Sequence, residues 1–210
     1  MSIGSVSIDE FLTRLGSSDP TPGGGSLAAL SGAMAGAMLA MVCNLTVGRP
    51  RYADVEAEVQ AILRNALEGQ QRLLSLADAD MDAYGGVRDA YRLPKSTDEE
   101  RAARAAAIEK SMSRATDVPV DTAETARALV DLSLRAGQTT NANALGDVAV
   151  AVQLAAAAAR GASEQARLNL ASLTDSSFVS RAQDRLARVA EGMDAVVAET
   201  MESVKARAAG

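Results

Sequence analysis

Apolar and polar positions along this chain recur with a helical period, and no segment alternates with period two for long enough to make a convincing strand. Ser7-Ile8-Asp9-Glu10 has the form of a capping box and opens a short helix to about Leu15. Residues 16–25 form the one loop dense in glycine and proline. Ser26 can N-cap a helix that runs from Leu27 to Val47 without a charged residue, closed by Gly48-Arg49-Pro50. A long helix over about 53–92 follows, ended by Leu93-Pro94-Lys95. Thr97-Asp98-Glu99-Glu100 is a second capping box, and its helix runs to about Thr116, where Val118-Pro119 is expected to break it. Asp121 and Glu124 open the next helix, which stops near Gly137. Further helices are expected from Asn141 to about Leu173 and, amphipathic, from Asp175 to about Arg207. No internal repeat, linker or domain boundary interrupts this series. Residues 1–210 therefore read as a single domain, an all-α multihelical bundle of about seven helices with no sheet.

Composition narrows the chemistry. Apolar residues make up 48% of the chain but aromatic ones only 2%, which are Phe11, Tyr52, Tyr84, Tyr91 and Phe178. A β-sandwich or barrel needs more β-branched and aromatic residues. With no histidine there is no Ser-His-Asp triad and no His-ligated zinc, and one cysteine, Cys43, allows no intrachain disulfide or Cys-rich metal cluster. Acid-base work falls to Asp, Glu, Lys or Tyr. A net charge of −6 argues against a nucleic-acid partner. The first residues, Met1 to Val6, have neither the basic nor the apolar region of a signal peptide, and a cytoplasmic location is expected.

The charge-free stretch is long enough to span a bilayer and contains a small-xxx-small match at Gly32 and Gly36. It is rich in small residues and Met rather than Leu, Ile and Phe, and has no interfacial Trp or Tyr. The expectation is no membrane partner, with the helix from Leu27 to Val47 packed in the core or at a subunit interface.

Several residues stand out against this background. On the long helix, Asp80 shares a stripe with Leu73, Ala77, Tyr84, Val87 and Tyr91, while Asp78 and Asp82 point elsewhere and are expected in solvent. A carboxylate on a packing face is paired, hydrogen-bonded or functional, and the plainer alternative is an Asp bonding a neighbouring helix. Asn143 and Asp147 show the same anomaly beside Val150, Leu154 and Ala158, with local capping as the alternative. Gly23-Gly24-Gly25-Ser26 before a helix can gather backbone N–H groups, or be a flexible turn; it is neither a P-loop nor a dinucleotide fingerprint. Lys95 is an isolated loop cation whose default is solvation. Tyr84 and Tyr91 can pack a planar ligand or the core, whereas Met34, Met38, Met41 and Cys43 read as core.

In order, Pro22-Gly23-Gly24-Gly25-Ser26, the small-residue helix ending in Met41-Val42, Asp80-x-x-Ala83-Tyr84, Leu93-Pro94-Lys95, Val118-Pro119, Asn143-x-x-x-Asp147 and Asn169-Leu170 resemble the cyclodeaminase/cyclohydrolase family over roughly residues 8–173. That resemblance implies an all-α fold, a homodimer or assembly of dimers, and a folate substrate handled with no metal and no cofactor. It implies that Asp80, the second aspartate of Leu76-Ala77-Asp78-Ala79-Asp80, is the catalytic carboxylate. Pro22, Gly23, Gly24, Gly25, Ser26, Asn143 and Asp147 are then expected in the folate site, and Tyr84 on the substrate's ring system. Lys95 is expected to act on a glutamate carboxylate of the substrate or on charge in the adduct. Tyr84 stands where many members have Phe, and Leu27 follows the glycine run; neither departure touches a catalytic role. The absence of a formiminotransferase domain from the sequence tilts the expected activity toward methenyltetrahydrofolate cyclohydrolase, which hydrolyses methenyltetrahydrofolate to formyltetrahydrofolate. The alternatives are a formimidoyltetrahydrofolate cyclodeaminase and, in another class, a non-catalytic folate-binding or scaffold protein.

Overall fold

In the computed structural model, which describes residues 2–208, seven α-helices and three short 3-10 helices carry the chain, with no strand among the described residues. The α-helices are α1 (Ile8–Leu15), α2 (Gly24–Asn44), α3 (Glu56–Tyr91), α4 (Asp98–Thr139), α5 (Leu145–Leu170), α6 (Ser176–Ala190) and α7 (Met193–Ala208). Three starts are set by side chains legible in the sequence. Ser7 accepts from the Glu10 N–H, Thr97 and Glu100 close a full capping box, and Asp175 accepts from the Ser177 and Phe178 N–H groups.

The number of helices agrees with expectation, but its division does not. Pro119 leaves α4 unbroken from Asp98 to Thr139. An interior proline costs one helical hydrogen bond and about 3 kcal/mol. Here Val118, Pro119 and Val120 are all buried, and α4 packs along α5 and α3, which offsets that loss. The final expected helix is instead cut in two: Glu191 turns out of helical geometry and Gly192 takes φ +63°, a left-handed conformation open to glycine. Ser26 is not an N-cap either. α2 begins at Gly24 with Gly23 as its cap, and the Ser26 hydroxyl is used elsewhere.

Small residues let α2 pack closely against α3 and α5. A β-carbon on Gly32 would stand 3.0 Å from Leu73 and 3.3 Å from the Ala158 side chain, and one on Gly36 would meet the Ala66 carbonyl at 3.0 Å. Backbones approach this closely only where side chains are absent. Cys43 is buried here, and that burial pushes its thiol up to about 11. Both α2 and the segment 142–170 are long and apolar enough to cross a membrane, and α2 is mostly covered by the bundle. The third tyrosine, Tyr52, anchors the turn before α5, where its hydroxyl accepts from the Ala142 N–H at 3.2 Å. Asp78 is not simply solvated: its carboxylate accepts from the Ser2 hydroxyl and the Ile3 N–H, both at 2.6 Å, and so fastens the N-terminal turn to α3. Asp82 is exposed as expected.

Candidate active site

Asp80 lies in the C-terminal half of α3, against the first turn of α2. The first N–H groups of a helix have no partner within it, and Gly23 brings no side chain to serve them. Asp80 does so from outside: the Ser26 hydroxyl donates to Asp80 Oδ2 at 2.7 Å, and the Ser26 N–H bonds the same carboxylate. The helix dipole favours negative charge at this end. Burial works against it and raises the Asp80 carboxyl above the usual carboxylate range, while the two Ser26 bonds pull it down without cancelling the rise.

The carboxylate opens onto a cleft of about 320 Å³. One wall is the loop before α2, with Pro20, Thr21 and Gly23, continued by Gly24 and Gly25 at the start of the helix. α3 gives Ala83, Tyr84 and Val87; α4 gives Met112 and Ala115; α5 gives Gln165 and Asn169. Asp80 is the one charged side chain in the lining. Tyr84 is 43% exposed, so its ring is a wall open to a ligand rather than part of the core. Tyr91, about two turns further on, does not line the cleft and lies under the Arg104 guanidinium, 5.3 Å from its ring centre.

Of the residues expected in the site, Asp80, Tyr84, Gly23, Gly24 and Gly25 come together in this cleft. Ser26 supports Asp80 from behind, and Pro22 is buried after the cis Thr21–Pro22 bond. Lys95 sits in the exposed loop between α3 and α4, outside the lining. Asn143 and Asp147 lie at the far end of α5: the eighteen residues from Asp147 to Gln165 span about 27 Å of helix. Local capping explains much of that segment, since the Asn141 side chain accepts from the Asn143 N–H and donates to the Leu45 carbonyl at 3.1 Å. Asp147 stands in the first turn of α5, where the helix dipole favours a carboxylate.

The sequence motifs take in Asn169 but not Gln165. A signal was present: two amides four residues apart occupy one face of a helix made mostly of small residues. Gln165 lies close to the glycine run, where a β-carbon on Gly24 would stand 2.8 Å from its Nε2. The Asn169 Nδ2 donates to the Ala115 carbonyl at 2.7 Å.

Comparison with known proteins gives a consistent set. The profile described as formiminotransferase-cyclodeaminase matches residues 7–188. The methenyltetrahydrofolate cyclohydrolase of Methylorubrum extorquens is 44% identical over 185 residues, covering 87% of this chain and 86% of that protein. The formimidoyltransferase-cyclodeaminase of Rattus norvegicus is 29% identical over 202 residues, which take in 96% of this chain and 37% of the rat protein. The crystal structure of formiminotetrahydrofolate cyclodeaminase from Thermotoga maritima matches with a TM-score of 0.87 at 25% identity, over 97% of this chain and 98% of that one.

Proposed function

This chain belongs to the formiminotransferase-cyclodeaminase family, and we propose that its Asp80 cleft hydrolyses methenyltetrahydrofolate to formyltetrahydrofolate. The observation that carries this is the lone, half-buried carboxylate of Asp80 in a cleft otherwise lined by neutral groups. The substrate carries a delocalised cation on a carbon between two nitrogens. A low-dielectric cleft with one negative charge favours such a cation, and binding it draws the raised carboxyl of Asp80 back toward ionisation. Water adds to the methenyl carbon as Asp80 accepts a proton from it. The tetrahedral adduct then breaks its bond to the pterin-side nitrogen, which takes that proton back; the adduct's hydroxyl gives its own proton to the freed Asp80 carboxylate and on to solvent, and the formyl group stays on the other nitrogen. Tyr84 packs on the ring system. Lys95, outside the cleft, is suited to a glutamate carboxylate of the substrate rather than to the adduct.

The substrate is already activated, so the proposal includes no metal and no cofactor. It includes a cytoplasmic enzyme without nucleic-acid or membrane partners, in keeping with its acidic charge and single reduced-type cysteine. It also includes a homodimer through the outer face of α2, where Leu27, Met34, Met41 and Leu45 are exposed. Loss of methenyltetrahydrofolate absorbance, corrected for spontaneous hydrolysis, tests the activity; a rate no faster than the blank refutes it. The likeness to the Thermotoga enzyme favours one second reading, closure of a formimino group with loss of ammonia. Ammonia release from formimidoyltetrahydrofolate separates the two.

A further inference from the structure

Pro119 lies inside α4 and has no N–H to give the carbonyl four residues back, that of Ala115, which its ring also crowds. That carbonyl is taken instead by Asn169 of α5, whose Nδ2 donates to it at 2.7 Å. A carbonyl only accepts, so the contact fixes which way the amide lies. Nδ2 faces α4, and the groups left to the cleft are Oδ1 and the second N–H. Ala115 and Asn169 both line the Asp80 cleft, while Pro119 is buried behind them. No other hydrogen bond engages the Asn169 side chain among the described residues. One turn earlier, Gln165 offers a second amide to the same space.

Resting on the folate reading above, we propose that Asn169 positions the substrate, presenting an oriented amide edge to the donor and acceptor edge of the pterin ring. Pro119 is the positioning residue behind it. By withholding an N–H it keeps the Ala115 carbonyl out of the helical ladder and available to Asn169. A proline that breaks no helix, and an asparagine far from Asp80 in sequence, thereby acquire one shared purpose.

Steady-state kinetics on methenyltetrahydrofolate with single and double variants tests this. Asn169→Ala is expected to raise KM about tenfold while kcat stays within about threefold. Pro119→Ala restores the N–H, lets the ladder bond to Ala115 re-form and frees Asn169. Its KM is expected to rise about threefold or more while its thermal midpoint holds or increases, the opposite of a general loss of structure. The double variant is expected to match Asn169→Ala alone, because Pro119 acts only through that side chain. Independent, multiplying effects on KM overturn the relay, as does an unchanged KM in Pro119→Ala. Normal wild-type turnover with an unaltered Asn169→Ala overturns this inference and leaves the folate reading standing; absence of wild-type turnover of either folate overturns both.

Discussion

A β-carbon on Gly25 would stand 2.1 Å from Asp80 Oδ1 and 2.6 Å from its Cγ, so the carboxylate rests on bare backbone at the start of α2. Gly25 has no positive φ; its missing side chain is a matter of space. Gly25→Ala must push aside either Asp80 or the first turn of α2. The expected cost is about 1–3 kcal/mol of stability and about a hundredfold in kcat from the misplaced carboxylate. Gly86 is the control, because a β-carbon there meets nothing within 4 Å. Gly86→Ala is expected to keep its activity and gain about 0.5–1 kcal/mol in thermal unfolding, as alanine does in a helix.

Asp80→Asn is expected to lower turnover about a thousandfold while leaving the protein at least as stable as the wild type at pH 7. The sign follows from burial. The Asp80 carboxyl is raised in the folded state, so the native protein keeps this proton to higher pH than the unfolded chain does. Below the ordinary carboxylate pKa, near 4, both states are protonated and the group is neutral in the balance. As pH rises through the folded value, the ionised carboxylate costs stability, and the asparagine variant escapes that cost. Thermal midpoints at pH 5 and pH 8 measure the difference, which is expected to favour the variant more at pH 8. Near-normal turnover by the purified variant refutes the assignment of Asp80.

Ser26→Ala isolates the hydroxyl that donates to Asp80 Oδ2. That bond stabilises the ionised carboxylate and lowers its pKa, so its loss raises the carboxyl further. The acid limb of kcat/KM, which reports the free enzyme's base, is expected to move to higher pH. The rate deficit should therefore be larger at pH 6 than at pH 8. A uniform deficit at every pH means that Ser26 only shapes the cleft.

Asp80 was legible in the sequence because a carboxylate on an apolar stripe conflicts with helical periodicity, and the crossing of α3 over α2 resolves that conflict. Capping boxes at Ser7 and Thr97 were legible because they are local chemistry. Pro119 misled because its helical cost is local, whereas burial against α5 that offsets it is tertiary. Ser26 misled for the same reason: the best local use of its hydroxyl lost to a carboxylate 54 residues away. Asp147 shares α5 with the cleft-lining amides and Asn143 stands in the 3-10 turn just before it; periodicity reports the face of a helix but not the end of it that meets the site.

On α2, Leu27, Met34 and Met41 recur every seven residues and are 41%, 43% and 39% exposed, so Met34 and Met41 face out rather than into the core as expected, and Leu45 just past the helix continues the row. Ile8 and Leu12 of α1 extend the same apolar surface, and an apolar hollow of about 300 Å³ lies between the two helices. The proposed homodimer uses this surface, where a second copy would bring an identical row to meet it. The native protein is therefore expected to sediment as a dimer at micromolar concentration. Met34→Glu adds one charge per subunit to the middle of that row, and in a two-fold interface each substitution counts twice. The variant is expected to weaken dimerisation about a hundredfold or more, because a charge in an apolar interface is left without a partner. Its circular dichroism should be unchanged, since Met34 faces away from the bundle core. A native chain that sediments as a monomer, or a Met34→Glu variant as dimeric as its parent, excludes this face as the interface.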